Sequence, residues 1–524
     1  MYRLFALSVI FVQTIPSGFI VCRRGDQDDL LEQQAGEFAV TGLDESGYER
    51  FEIETRTAPP RRRQPYPFNP RPRKLGLARV LLSEVFHYGF QLRRKEYQRV
   101  LLSRPCIYGV FSGRFGGFHP IKERCTGCMR CVQEFPSICR VDRNLEFYKF
   151  ADSYWAPEDP ATASATPVSI ISYEASTGKI PIRGMGYKGS FAGPGWDSIW
   201  TDMSEIVRPT RDGVYGREYI STLVDLGRKQ KFLEFRGREP TQVSRTVQTS
   251  LPILFDYLPP NISSQYVTQS IARASKRVGT LFIASPEQAS VFLSNYERQM
   301  VPLISSSRIN ECHDVIRRAP AVEVSGFDPD ALERIRKING RTSVWVRVPF
   351  TTNSDRDVVE IARQGVDVIH LFADYHGGGW DQENAGFVKD LIRSVHRALL
   401  REHLRDEVTI IASGGITLAE HVPKAIICGA DLIALDTTVL VALQAEFIGE
   451  CKSAEEARIR PEKFDVAWGE QRLVNLLASW YDQLIEILSA MGMRDVRRLR
   501  GDIGRAMFNE DLEREAFGGS INRA

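Results

Sequence analysis

Long apolar runs are almost absent from this 524-residue chain. Residues 4–12 (LFALSVIFV) follow a single basic residue, Arg3, and are too short to span a bilayer. A small-residue cleavage site does not follow at the usual distance. The run therefore reads as a targeting segment, a start-site extension or a packed N-terminal element. No membrane partner is expected. Excess charge is missing as well. Lys plus Arg number 68 and Asp plus Glu 66, so no bulk field recruits nucleic acid. Cysteine is scarce, nine residues in all, which excludes a disulfide scaffold at this length and fits a cytoplasmic location. No G-x-G-x-x-G follows a strand, so a nicotinamide or FAD domain is not evident. What is present is ordinary: 43% hydrophobic and 26% charged residues, a composition that excludes disorder throughout.

Charge is unevenly spread. Residues 26–54 carry ten acids and one base, whereas residues 55–80 carry eight bases, six prolines and no acid. A proline-rich basic stretch favours extended, solvated chain: a linker, or a docking arm for an acidic partner. Residues 1–100 are read as an extension and linker. From residue 251 the pattern changes to short β-branched runs, each followed by an amphipathic stretch: LPILFDY (251–257), TLFIAS (280–285), MVPLIS (300–305), AVEVSG (321–326), TSVWVRVP (342–349), DVIHLFAD (367–374), TIIASGG (409–415) and DLIALDT (431–437). Eight such units in about 200 residues predict an α/β fold, a (β/α)8 TIM barrel over 251–450. An open doubly wound sheet is the competing arrangement, and the lack of a glycine-rich turn after the first strand argues against it. Residues 161–250 form a connector. Residues 451–524 form a helical tail, with Leu473, Leu476, Leu477, Trp480, Leu484 and Leu488 on one stripe.

Of the nine cysteines, four fall between residues 125 and 139. Cys125, Cys128 and Cys131 stand at C-x2-C-x2-C spacing, which lets three thiolates wrap one corner of an iron–sulfur cube, with Gly127 easing the turn. The bacterial ferredoxin pattern continues x3-C-P. Here that position is Phe135, ahead of Pro136. Cys139 and Cys106 are the candidate fourth ligands. A 4Fe-4S cube with a remote ligand, a 3Fe-4S cluster on three thiolates, and a zinc ion using Cys139 are all consistent with the spacing. Residues 101–160 are accordingly read as a small ferredoxin-like iron–sulfur segment ahead of the barrel. Cys22, Cys312, Cys428 and Cys451 stand alone and read as bystander thiols.

Chemistry on such barrels sits at the C-terminal ends of strands, with phosphate after strands seven and eight. Strand seven ends in Ser413, Gly414 and Gly415, and strand eight in Asp436, Thr437 and Thr438. Two glycines admit close approach of an anion, and threonines at a helix start offer hydroxyl and amide donors, so the pair predicts a phosphate-bearing cofactor. Arg347 on strand five would either stabilise a reduced flavin or pair with an acid inside the barrel. Strand six leads into Asp374 and His376, a candidate proton donor, within a glycine-rich loop. Arg208, Arg211 and Arg217, in the segment before the barrel, are read as a surface ion-pair network or a clamp on a carboxylate.

These segments, together with RPCIYGVFSGRFGGF (104–118), YEASTG (173–178), WTDMSEIVRPTRDGVYGREYIST (200–222), IIASGGI (410–416) and AIICGADLIALDTTVLVALQAEFIGEC (425–451), resemble the FMN-binding glutamate synthase-related family over residues 104–507. The resemblance implies an FMN barrel that forms L-glutamate from 2-oxoglutarate and ammonia, with an iron–sulfur cluster relaying electrons. It places FMN phosphate at Ser413, Gly414, Gly415, Thr437 and Thr438, and Arg347 near the ring. It further implies ammonia or a glutaminase partner, since residue 2 is Tyr, and an external donor, a ferredoxin or an NAD(P)H-oxidising subunit. The chain departs from the family in two places. Cys451 stands alone where a three-cysteine motif is usual, and AVEVSGFDPD (321–330) replaces a lysine- and glycine-rich substrate segment. Two other outcomes follow from these departures: an FMN and iron–sulfur electron-transfer subunit without its own substrate pocket, or a barrel that binds neither cofactor and serves as an assembly partner.

Overall fold

A computed structural model of the chain describes residues 19–24, 50–61, 68–72, 106, 108–111, 119–125, 127–134, 136, 139–144, 167–180, 195–201, 220–230, 235–236, 239–240, 245–288, 294–381, 386–448, 453, 458–460 and 463–509. The segment with Arg208, Arg211 and Arg217, the run at 4–12, and Cys451 lie outside them.

Eight parallel strands close into a barrel: β1 (Ile253–Phe255), β2 (Phe282–Ala284), β3 (Met300–Ser305), β4 (Ala321–Ser325), β5 (Ser343–Pro349), β6 (Val368–Phe372), β7 (Thr409–Ser413) and β8 (Leu432–Leu435). Closure sets β1 beside β8, with Ile253 opposite Ile433 and Phe255 opposite Leu435. Every strand falls inside one of the eight runs legible in the sequence. Parallel strands are covered on both faces, here by barrel core and helix layer, which is why the runs are apolar rather than alternating.

A short helix α1 (Arg130–Glu134) and α2 (Pro167–Thr177) precede the barrel. Within it, α3 (Gln265–Val278) follows β1, α4 (His313–Arg318) follows β3, and α5 (Pro329–Ile338) follows β4. Next come α6 (Ser354–Arg363), α7 (Val388–Arg401), α8 (His421–Cys428) and α9 (Thr437–Ala442), after β5 to β8 respectively. Local chemistry fixes the starts. Asp328 caps α5 by accepting from the Asp330 amide at 3.0 Å, with Pro329 in the first turn. In α7 the buried positions Val388, Ile392, Val395 and Leu399 recur every three or four residues, so one face meets the strands.

The N-terminal rim of the barrel is stapled by buried acids. Asp367, just before β6, accepts from the Val344 amide at 2.8 Å. Asp431, just before β8, accepts from the Ile410 amide at 2.7 Å, from Arg405 at 2.9 Å and from Arg500 at 3.0 Å. Arg405 is fully buried and also donates to the carbonyls of Val408 and Gly429. These groups tie strand to strand at the end of the barrel that serves stability.

The tail is the long helix α10 (Val466–Ala490). Its leucine and tryptophan stripe is buried against α2 and α3. Each such side chain contributes about 1.5–3 kcal/mol on burial. Part of the stretch expected as linker also docks here. Residues 55–61 run along α10, where Arg472 donates to the Ala58 carbonyl at 2.9 Å, Asn475 to Arg56 at 2.7 Å and Trp468 to Pro59 at 2.9 Å. Among the described residues, no helix is long and apolar enough to cross a membrane.

Replacing Asp431 with alanine strands Arg405 without its partner inside the fold. A loss of about 3–5 kcal/mol is expected, read as a lowered midpoint in chemical denaturation of the purified chain.

Candidate functional site

Two places concentrate chemistry: the C-terminal mouth of the barrel and a thiol-lined cavity ahead of it. At the mouth, Asp256 follows β1 directly and is held by a bond from its amide to the Leu435 carbonyl. Arg347 reaches across from β5 and forks onto it, Nη1 to Oδ1 at 2.6 Å and Nη2 to Oδ2 at 2.9 Å. Of the two placements open to Arg347 in the sequence, the structure builds the ion pair inside the barrel. Glu323 on β4 lies 3.6 Å from the same guanidinium. Its other oxygen meets His370 Nδ1 on β6 at 2.6 Å, and His370 Nε2 meets Ser413 Oγ on β7 at 3.0 Å. Five strands or strand ends are thus joined by one polar chain through the interior. Burial raises the Asp256 carboxyl, but attraction to Arg347 and His370 wins and holds it near 2. For Arg347, burial lowers the pKa, but Asp256 and Glu323 outweigh it, so the net shift is upward.

Asp256, Glu323 and His370 are not among the residues singled out in the sequence. Each is one polar residue in an otherwise apolar run (ILFD, AVEV, VIHL), and that interruption is the signal that marks them.

Asp374 and His376 come together, but within their own loop. The Asp374 carboxylate accepts from the amides of His376 at 2.9 Å and Gly378 at 2.6 Å, which folds the turn after β6. Gly414 (φ +98°) and Gly415 (φ +67°) pack under that turn. A Cβ on Gly414 would lie 2.5 Å from the Asp374 carbonyl oxygen, and one on Gly415 would lie 2.7 Å from the Gly377 backbone. Close loop-on-loop packing therefore demands both glycines. Trp196, from the connector, donates Nε1 to the Gly415 carbonyl at 3.1 Å and stacks on His421.

After β8, the Asp436 carboxyl accepts from both the amide and the hydroxyl of Thr437. Thr438 donates its hydroxyl to the Ile416 carbonyl at 2.6 Å. Burial, with Asp256 nearby, pushes the Asp436 carboxyl up to about 7. The Thr437 amide and hydroxyl and the Thr438 hydroxyl, expected as phosphate donors, are thus bonded to the protein itself, with a carboxyl group beside them.

The second place draws its cysteines from two chain segments and its walls from a two-stranded ribbon as well. Cys106, Cys125, Cys128 and Cys131 line one cavity of about 150 Å³, walled by Pro70, Tyr108, Val110, Phe111 and Val141. Gly127 (φ +73°) makes the turn against Phe68, whose ring would meet an added Cβ at 2.3 Å. Met129 is also left-handed at φ +58°, and α1 starts beyond it. Cys139 lies on a strand (Cys139–Arg143) paired antiparallel with Phe68–Pro72, behind Cys131 and outside the cavity lining. Cys139 donates to the Cys131 sulfur, which lowers the Cys131 thiol and raises its own. Among the described residues, no three His, Cys, Asp or Glu side chains converge on a point that would hold a single metal ion. The thiols ring a space instead.

A family model described as the conserved region in glutamate synthase matches residues 304–494, from the end of β3 through β8 and all of α10. An archaeal-type glutamate synthase (NADPH) from Dehalococcoides mccartyi is 23% identical over 447 residues, covering 72% of this chain and 86% of the relative. An archaeal glutamate synthase (NADPH) from Archaeoglobus fulgidus is 24% identical over 463 residues, covering 75% and 88%. Among solved structures, the flavin-binding domain of baker's yeast flavocytochrome b2 aligns over 59% of this chain and 76% of that one, at 13% identity and a TM-score of 0.38. The chain is thus similar, at 22–24% identity, to archaeal-type glutamate synthases. Its family-level link is to glutamate synthase-like oxidoreductases.

Two outcomes follow from the mouth. Asp436 binds its proton more tightly folded than unfolded, so stability falls as pH rises from about 4 to about 7. Asp256 has the opposite sign, and its contribution is lost as pH falls from about 4 towards 2. Asp436→Asn should flatten the first limb and leave the second, as read from thermal midpoints across pH. Gly415→Val should lower the midpoint or the soluble yield, because its side chain meets the Gly377 backbone.

Proposed function

We propose that the chain is a glutamate synthase-related redox protein whose working centre is an iron–sulfur cluster in the thiol cavity, with the barrel as its scaffold. The observation that carries this reading is that Cys106, Cys125, Cys128 and Cys131 line one cavity. When bound, such a cluster exchanges one electron at a time. Cys125 and Cys131, partly or fully buried, would hold its inner side, and Val110, Phe111 and Val141 keep water from it. Cys128, Met129 and Arg130 are exposed, so this edge is where an external donor, a ferredoxin or an NAD(P)H-oxidising subunit, would approach. Cys106 is the fourth ligand on this reading, and Cys139 supports Cys131 from behind.

The relatives are named for glutamate synthesis. The reaction served is then reductive amination of 2-oxoglutarate with ammonia, or with ammonia from a glutaminase partner, on a catalytic subunit that receives the electrons. A second reading, in which this chain itself forms glutamate, draws on the buried Asp256, Arg347, Glu323 and His370 chain at the catalytic end of the barrel. Residues 101–160 as a ferredoxin-like unit, 161–250 as connector and 251–450 as barrel remain the organisation this reading uses.

Anaerobic reconstitution with iron and sulfide should give about four of each per chain. Cys106→Ala should lose the cluster or leave a three-iron form, seen by electron paramagnetic resonance, while Cys139→Ala keeps four. One zinc per chain without sulfide would sink the proposal. Glutamate made by the reconstituted chain alone, from 2-oxoglutarate, ammonia and reduced donor, would favour the second reading.

A further inference from the structure

The barrel mouth has the outline of a phosphate cradle, with two glycines after β7 and two threonines after β8. The threonine side chains there already have acceptors. The Thr437 amide and hydroxyl are both bonded to Asp436. The Thr438 hydroxyl is bonded to the Ile416 carbonyl, and both threonines are fully buried. The space beside Gly414 and Gly415 is filled by the backbone of the β6 loop, as close as 2.5 Å to where a Cβ would sit. We infer that Asp436 takes the place an external phosphate would hold, and that this mouth is closed to a phosphate-bearing flavin.

Charge points the same way. An anion after β8 would meet the carboxyl groups of Asp436 and Asp256. The cation nearest those acids, Arg347, is forked onto Asp256 with both terminal nitrogens. Lys424, beside the β7 loop, is bound to the Trp196 carbonyl and to Glu420, each at 2.8 Å. Arg347 and Lys424 are thus each committed to an acid of the fold, and neither is left to attract a phosphate. The arrangement is a self-contained core: a side chain of the fold supplies the acceptor that a ligand supplies in a phosphate-binding barrel. This inference concerns the barrel alone and stands or falls independently of the thiol cavity.

The test uses the full-length chain. Flavin released on acid denaturation should be absent, and FMN titration followed by flavin fluorescence should show no saturation. Asp436→Ala leaves the Thr437 amide without its acceptor and should lower the thermal midpoint by about 2–4 °C. Asp436→Asn retains an acceptor oxygen and should hold the midpoint at or above that of the parent at neutral pH. One FMN per chain, or saturable FMN binding by the parent chain, would overturn the inference. So would an unchanged midpoint for Asp436→Ala, or an equal fall for Asp436→Asn. The flavin measurements need no variant, so a failure of either variant to fold leaves them decisive.

Discussion

The fork between Arg347 and Asp256 is the interaction on which the barrel interior depends. A guanidinium brought into a barrel core would be prohibitive to bury alone. It is tolerated because both terminal nitrogens meet both carboxylate oxygens, with Glu323 close behind. The pair also settles its neighbours. Once Arg347 neutralises Asp256 and faces Glu323, His370 can sit between Glu323 and Ser413 without exposure to water, and its ring is fully buried. The result is a polar chain across β1, β4, β5, β6 and β7 in a place that apolar layers usually fill.

That core shapes the mouth above it. Asp436 is the next acid along, and it has no comparable partner. Burial and Asp256 hold its proton on, and its remaining bonds go to Thr437. The β6 loop, tied by Asp374 to its own amides, then lies down on Gly414 and Gly415. Each step fills space or commits a threonine donor at the mouth. A barrel fold does not by itself carry a site, because function resides in particular side chains.

The thiol cavity owes its form to a different constraint. The C-x2-C-x2-C turn alone brings three sulfurs to one side of a loop. The fourth comes from Cys106, nineteen residues earlier than Cys125, and the walls come from Pro70 and Val141 on a two-stranded ribbon. The basic, proline-rich stretch that reads as linker packs in two places: residues 68–72 pair beside the cavity, and residues 55–61 dock on α10 through Arg472 and Asn475. Proline and arginine composition marks extended chain correctly, yet extended chain can still lie against a helix that supplies donors for its carbonyls.

The sequence by itself determined the repeat. Eight apolar runs with intervening amphipathic stretches place all eight strands, since a parallel strand buried on both faces must be apolar over its whole length. The stripe from Leu473 to Leu488 likewise determined the buried face of α10, since a 3.6-residue period leaves one face for packing. Local spacing also marked three cysteines and the Gly414, Gly415, Thr437 and Thr438 positions. What those positions do was decided by tertiary structure. Whether a threonine donor meets a ligand or Asp436, whether a glycine faces an anion or Gly377, and whether Cys106 or Cys139 faces the cavity depend on residues distant in the chain. Hydrogen-bond partners and excluded volume are set by three-dimensional neighbours, and periodicity does not encode them.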